Sequence, residues 1–241
     1  MKGQNTANDF KPLKIPWDIT MPDDDRIRAM HSLLFERYGD LKWWPAETDD
    51  EVVIGSILTQ NTSWSNVEKC ITNLKRNNIC SLSALSSLEP DVLAPIIRSS
   101  GFYNQKAKRL IDISRIITGN YSTLERMSGF PVDELELFLK DVKGVGRETM
   151  DSILSYALHK PVFVVDKYTI RIFSRIGIRG GRLDIDTIKG LISDTLGNDG
   201  DMLRNFHAML VYLGKDHCRT KPLCPDCPVR SVCGYFITAG P

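Results

Sequence analysis

Cys218, Cys224, Cys227 and Cys233 follow the spacing C-x5-C-x2-C-x5-C. Four thiolates so close in sequence reach one centre only if the chain wraps around it, and Pro222, Pro225 and Pro228 favour such a loop. Zinc and a [4Fe-4S] cluster both accept four thiolates. Structural zinc more often uses two close cysteine pairs, whereas this stretch has a single one. A second candidate lies upstream. Val142-Lys143-Gly144-Val145-Gly146 is a glycine turn that runs into Met150, Ile153, Leu154, Ala157 and Leu158 at helical spacing. Leu135, Leu137, Phe138 and Leu139 predict a helix before it, so the unit reads helix, hairpin turn, helix. Unpaired amides ahead of a helix N-terminus attract a phosphate. Asp166 follows the apolar run PVFVV. As N-cap of a helix starting near Lys167 it stays ionised, and it is either only that cap or a carboxylate available for chemistry.

Composition narrows the choices. The 241 residues suffice for one compact unit or two small lobes, and a net charge of +1 excludes a global basic coat. A nucleic-acid footprint would have to be a local stripe. No run approaches the roughly 18 apolar residues of a membrane span, and the N-terminus lacks an apolar signal core. Cysteines crowded into one loop suit a metal nest better than a secreted disulfide framework, so an intracellular location is expected.

The elements that must position these residues are helical. Residues 1–22 are polar and proline-punctuated, and a flexible arm is expected there. Helical spacing runs over Arg26–Tyr38, over two segments within Glu51–Leu74, over Leu82–Leu93 and Pro95–Ser99, and through Leu110, Ile113, Ile116 and Ile117. Three more helices are expected over Tyr168–Arg175, Thr187–Leu196 and Leu203–Leu213. PVFVV has no partner strand in the chain and reads as a packed linker. Trp43-Trp44-Pro45 breaks the first helix, with one tryptophan expected to pack and the other to face a cleft. Thr59-Gln60-Asn61-Thr62-Ser63-Trp64 places hydrogen-bonding side chains in apolar surroundings.

KGVGRET, followed by VVDKYTIRIFSRIG, resembles the helix-hairpin-helix and Gly/Pro-Asp signature of the endonuclease III superfamily of DNA glycosylases. ILTQNT, GFYNQKAK and the cysteine loop are similar to further segments of that superfamily, in its order, over roughly residues 25–236. Two departures stand out. The lead-in to Asp166 is Lys160-Pro161, and the cysteine loop has one residue fewer between its first two cysteines.

The resemblance implies an all-α fold of two helical lobes with a DNA cleft between them. One is a six-helix, barrel-like lobe over 46–160 carrying the hairpin. The other joins 23–45 to 161–241 and holds the cluster. It implies that Asp166 is catalytic and that Lys143, Gly144, Val145, Gly146 and Arg147 grip the backbone of double-stranded DNA. Gln60 would fill the gap left by a flipped nucleotide, and Lys106, Arg219 and Lys221 would meet phosphates. The four cysteines would hold a [4Fe-4S] cluster, with zinc as the alternative. Bifunctional members carry a lysine directly after G-V-G-R; here Glu148 stands there and cannot form a Schiff base. A monofunctional glycosylase is therefore expected, acting as a monomer. Lys167 sits beside Asp166 and is an amine that could substitute. Trp43, Trp44, Pro45 and Trp64 resemble the base pocket of the 3-methyladenine branch, which implies alkylated purines. A bifunctional lyase acting on oxidised pyrimidines and a non-catalytic iron–sulfur DNA-binding protein remain as alternatives.

Overall fold

The computed structural model describes residues 21–178 and 183–239, so the arm expected over 1–22 lies, except for Met21 and Pro22, outside the described residues. Every regular element among the described residues is helical. α1 (Asp23–Tyr38) takes Asp23, Asp24 and Asp25 into its first turn, where carboxylates meet the positive end of the helix dipole. α2 (Asp49–Leu58) is capped by Thr48, whose hydroxyl accepts from the Glu51 N–H, and α3 (Trp64–Arg76) follows the polar turn. α4 (Leu82–Ser86) is capped by Ser81, and α5 (Pro90–Ile96) leads into a 3-10 turn at Arg98–Ser100. The break falls at Pro90 and not before Pro95. Pro90 occupies the start of α5, where its missing N–H leaves no helical bond unmade.

α6 (Tyr103–Tyr121) and the short α7 (Leu124–Ser128) precede α8 (Val132–Lys140) and α9 (Arg147–Ser152), which flank the hairpin turn. α9 continues as a π-helical turn, Ile153–Ala157, closed by the Leu158 N–H donating to the Ile153 carbonyl at 2.9 Å. α10 (Lys167–Ile176), α11 (Ile185–Leu196), α12 (Gly200–Asp216) and α13 (Gly234–Ala239) complete the chain. None of these is long and apolar enough to cross a membrane. α7 and α13 were not legible in the sequence, because five or six residues hold too little periodicity to register.

The helices bury two hydrophobic cores. The first runs from Val52 through Val164; the second joins Ile27, Met30 and Leu34 to residues from Phe163 through Val232. PVFVV lies between them. Val162 and Val164 enter the first core while Phe163 and Val165 enter the second. This two-residue alternation is the side-chain geometry of extended backbone, and it explains an unbroken apolar run with no partner strand: each face has its own core.

Ion pairs also join the cores. Asp151 of α9 is fully buried and meets Lys189 of α11 at 2.6 Å and Arg147 at 3.7 Å, while Arg147 reaches Asp186 of α11 at 2.8 Å. Burial pushes the Asp151 carboxyl up, and the two cations only partly offset it. Within the second core α10 seats closely on α12 because residue 214 is glycine. A Cβ there would collide with the Tyr168 ring.

Candidate active site

The hairpin turn depends on Gly144, whose φ of +90° is left-handed. The Arg109 side chain from α6 lies against it, so a Cβ at Gly144 would fall 2.7 Å from the Arg109 Cδ. Gly146 is the N-cap of α9 and supplies no side-chain cap, leaving the first helical amides open to an outside acceptor. Lys143, Gly146 and Arg147 are exposed, Gly144 is half-buried, and Val145 is half-buried against the first core. Arg147 spends its guanidinium on Asp186 and Asp151, so less of its charge faces outward.

Gln60 stands at the end of α2 and faces this turn. Its amide nitrogen donates to the Gly144 carbonyl at 3.1 Å and to the Thr149 hydroxyl at 3.1 Å, and its carbonyl accepts from Arg109 at 2.7 Å. Gln60 and the hairpin, 84 residues apart in sequence, form one bonded unit. For Gln60 to enter a duplex it must exchange these three bonds for new ones.

Asp166 is the N-cap of α10 and only 8 % exposed. Its Oδ1 accepts from the Thr169 N–H at 2.8 Å and from the Thr169 hydroxyl at 3.0 Å. Its Oδ2 faces His207 Nε2 of α12 at 3.9 Å. Burial pushes the carboxyl up, but His207 and then the two Thr169 bonds pull it further down, so it titrates below its ordinary value. At 3.9 Å the histidine stands beyond hydrogen-bonding distance; the Thr169 bonds are the firmer ground for the direction. A carboxyl whose folded pKa is depressed contributes stability in full above its unfolded pKa and loses it as pH falls through the folded value. Asp166 is thus an ionised group at neutral pH, held in place by a cap worth about 1 kcal/mol.

Around the carboxylate, Glu148 is exposed at the first turn of α9, where partial burial and then the Asp166 charge push its carboxyl up. Lys167 is exposed, with its amine over the Tyr168 ring at 5.5 Å.

The tryptophans gather on the other side of Tyr156. Trp44 packs edge-on against Trp64 at 5.4 Å and against Tyr156 at 5.2 Å, while Trp43 packs on Tyr212 at 5.7 Å with Lys215 above it at 5.5 Å. Trp43 and Trp44 both line a cavity of about 540 Å³ with Tyr156, Arg204 and Asn205. The expectation that one tryptophan packs and the other faces a cleft is corrected: each does both. Pro45 is exposed, and neither Pro45, Trp64 nor Asp166 lines that cavity. Trp64 instead fills the space beside Trp44, so these rings pack edge to face and do not frame an open slot next to the carboxylate.

Lys106 is a correction. It is 2 % exposed and its amine donates to the carbonyls of Leu58 and Ser100, each at 2.7 Å. Its charge closes the C-terminal end of α2 and cannot reach a phosphate; burial lowers its pKa. The resemblance of GFYNQKAK to a segment lying near bound DNA made a phosphate contact the natural reading, and only packing reveals the inward rotamer. Lys106→Met is expected to lower the melting temperature while leaving the salt dependence of DNA binding unchanged. A phosphate-contacting lysine would reduce that slope by about 1.

The cysteine loop is held by α10. Arg171 donates to the Cys218 and Gly214 carbonyls, and Arg175 donates to the Cys218 sulfur at 3.3 Å and to the Arg219 and Thr220 carbonyls. All four cysteines line one small apolar cavity walled by Ile172, Ile176, Leu213 and Val229. Burial pushes the Cys227 thiol up to about 12 and the Cys233 thiol up as well. Four sulfurs on one cavity, with a cationic side chain donating to one of them, are a donor set that fits a thiolate-bound iron or zinc centre. As placed, no three ligand-type side chains among the described residues stand close enough to hold a single ion. A mononuclear metal therefore needs the loop to tighten. Arg219 and Lys221 are exposed on this loop, with Arg219 also donating to the Lys215 carbonyl.

An uncapped glycine hairpin on one core and a capped, ionised carboxylate entering the other form a helix-hairpin-helix unit with a carboxylate held beside it. The description "HhH-GPD superfamily base excision DNA repair protein" matches residues 54–189, and the chain belongs to this family of DNA glycosylases. A Methanocaldococcus jannaschii protein with a proposed assignment as a DNA repair glycosylase is 43 % identical over 87 % of this chain and 96 % of its own. Endonuclease III of Thermotoga maritima is 31 % identical over 80 % of this chain and 87 % of its own. Among solved structures, H. pylori 3-methyladenine DNA glycosylase bound to 1,N6-ethenoadenine is 32 % identical with a TM-score of 0.69, covering 81 % of this chain and 98 % of that one. An endonuclease III–DNA complex, at 20 % identity and a TM-score of 0.75, shares the fold over 91 % of this chain and 99 % of that one.

Sequence reasoning missed Arg109, Tyr156 and His207. Tyr156 and His207 lie on helical apolar stripes, where a core reading is the default. Arg109 sits in a run of polar residues at the start of α6.

Proposed function

We propose that this chain is a monofunctional DNA N-glycosylase that flips a damaged base out of double-stranded DNA and hydrolyses its bond to the sugar, favouring alkylated purines. The observation that carries the reading is Asp166, an ionised carboxylate held by Thr169 at the junction of the two cores. Breaking the N-glycosidic bond develops positive charge on the sugar, which this carboxylate stabilises, and it orients the water that attacks the same carbon. The departing base takes the bonding electron pair. An alkylated purine carries positive charge before cleavage, so it leaves without an elaborate acid and is attracted to the faces of Trp43, Trp44 and Trp64. Trp44 and Trp64 pack edge to face, so a base stacking on Trp64 requires these two rings to part.

The residues of 46–160 and those of 23–45 with 161–241 act as two lobes on either side of the DNA. Lys143 to Arg147 hold a phosphate, Gln60 leaves its hairpin bonds to fill the gap, and Arg219 and Lys221 meet the backbone from the cysteine loop. The four cysteines bind a [4Fe-4S] cluster that braces this loop, zinc being the alternative. The enzyme works as a monomer inside the cell. The 32 % identity to a 3-methyladenine glycosylase supports the lesion class. The endonuclease III relatives favour a second reading, an oxidised-pyrimidine glycosylase with lyase activity, against which Glu148 stands as a residue unable to form a Schiff base.

Incubation with duplexes carrying a methylated purine or thymine glycol, with and without borohydride, separates the two. Release of the methylated base with no trapped protein–DNA adduct is expected. Faster release of thymine glycol would overturn the lesion class, and a borohydride-trapped adduct would overturn the monofunctional mechanism.

A further inference from the structure

Asp166 has one oxygen committed to Thr169 and one facing the protein interior, and what lies there is a built arrangement. His207 is 4 % exposed, and its Nε2 has no hydrogen-bond partner while it points at Asp166 Oδ2 from 3.9 Å. Its other nitrogen, Nδ1, is 2.7 Å from the Tyr156 hydroxyl, which in turn stands 3.1 Å from the Arg204 carbonyl. Tyr156 occupies the π-helical turn after α9, and Arg204 also donates to the Ser155 carbonyl of that turn at 3.0 Å. The irregular turn thus sets the tyrosine hydroxyl against α12, and the edge of His207 rests on Phe163 at 6.2 Å.

The proton positions follow from what each group can do. Burial keeps the Tyr156 hydroxyl protonated, so it has one proton to give. If Tyr156 donates to Nδ1, a neutral imidazole carries its proton on Nε2 and presents an N–H to the carboxylate. If Tyr156 donates to the Arg204 carbonyl, Nδ1 carries a proton and donates to the hydroxyl. A neutral ring would then aim a bare lone pair at a carboxylate, which is repulsive, and only the doubly protonated ring is compatible. In both permitted states an Nε2–H faces Asp166. We propose that His207, oriented by Tyr156, is a positioning residue for Asp166: its Nε2–H faces the second carboxylate oxygen, fixing its orientation and holding the group ionised.

The inference rests on Asp166 being the catalytic carboxylate and deepens that reading. The other groups acting on this site are Glu148 from α9, Lys167 and Thr169 on the carboxylate's own helix, and Arg204 on α12. Among the described residues, His207 is the side chain paired with Oδ2.

The test is single-turnover excision with the full-length protein, on whichever of the methylated-purine and thymine-glycol duplexes the wild type cleaves faster. Rates are read across pH, alongside affinity for a duplex with a stable abasic-site analogue. His207→Ala is expected to slow excision by about tenfold, leave abasic-site affinity within about twofold, and move the acid limb of the pH profile upward. The sign follows from the contact: losing an N–H that favours the charged form raises the carboxyl pKa. His207→Gln, whose amide nitrogen reaches the place of Nε2, is expected to recover most of the rate, and His207→Asn, whose amide reaches only the place of Nδ1, is not. Tyr156→Phe keeps the ring against Trp44 and is expected to show an intermediate loss. An unchanged rate and acid limb in His207→Ala would sink the proposal. Should that variant fail to fold, equal rates and acid limbs in His207→Gln and His207→Asn would sink it instead. If Asp166→Asn retained full activity in parallel, the catalytic assignment of Asp166 would fail, a result distinct from inactive Asp166→Asn with unaffected His207 variants.

Discussion

Asp166→Asn is expected to slow base release by a factor on the order of 10² to 10³ while leaving the protein folded. The two effects separate cleanly because this position has two jobs. Asn is as good an N-cap as Asp, and its side-chain oxygen can still accept from the Thr169 N–H and hydroxyl, so the start of α10 is preserved. What disappears is the negative charge at the junction of the cores. A carboxylate already sequestered to 8 % exposure acts in a poorly screened setting, where losing a full charge costs more than it would in water. Stability at neutral pH should change by about 1 kcal/mol or less. Single-turnover excision and thermal melting measure the two jobs independently. A variant that melts normally and excises at the wild-type rate would leave Asp166 as a helix cap alone.

Cys227→Ala is expected to empty the cysteine loop of metal and to lower the melting temperature by roughly 10 °C or more. Cys227 is one half of the close pair and lines the same apolar cavity as the other three cysteines. Without a bound centre, the loop stays attached to α10 by bonds from Arg171 and Arg175 to backbone carbonyls and one sulfur, by the Cys233 thiol donating to the Arg175 carbonyl, and by packing on Ile172 and Ile176. Because Arg171 and Arg175 belong to the helix that Asp166 caps, loosening the loop should also disturb the carboxylate. Excision should fall along with the melting temperature. Elemental analysis of the wild type decides between iron with acid-labile sulfide and zinc. A wild type containing no metal, or a Cys227→Ala variant that melts normally, would remove the cysteine nest from any structural role.

Gln60 shows how local sequence and tertiary contact divide the information. Its place in a polar cluster at the end of α2 was legible, and so was a hairpin 84 residues away. That the two are hydrogen-bonded to each other, with Arg109 closing the arrangement, was not, because contacts across such separations carry no periodic signature. Lys106 illustrates the opposite error: the resemblance of its segment implied a phosphate contact, and two carbonyls at the ends of neighbouring elements hold it inside.

The helical class, the glycine hairpin, the capped Asp166 and the four-cysteine spacing were determined by the sequence alone, because each is a local matter of residue type at short range. The tertiary structure decided which groups surround the carboxylate. The apolar run PVFVV sends alternate residues into separate cores, so Asp166 emerges at their meeting point. There a tyrosine from a π-helical turn and a histidine from α12, 51 residues apart, converge behind it. Both were indistinguishable from core residues in one dimension, since burial and partner identity are properties of packing and not of spacing.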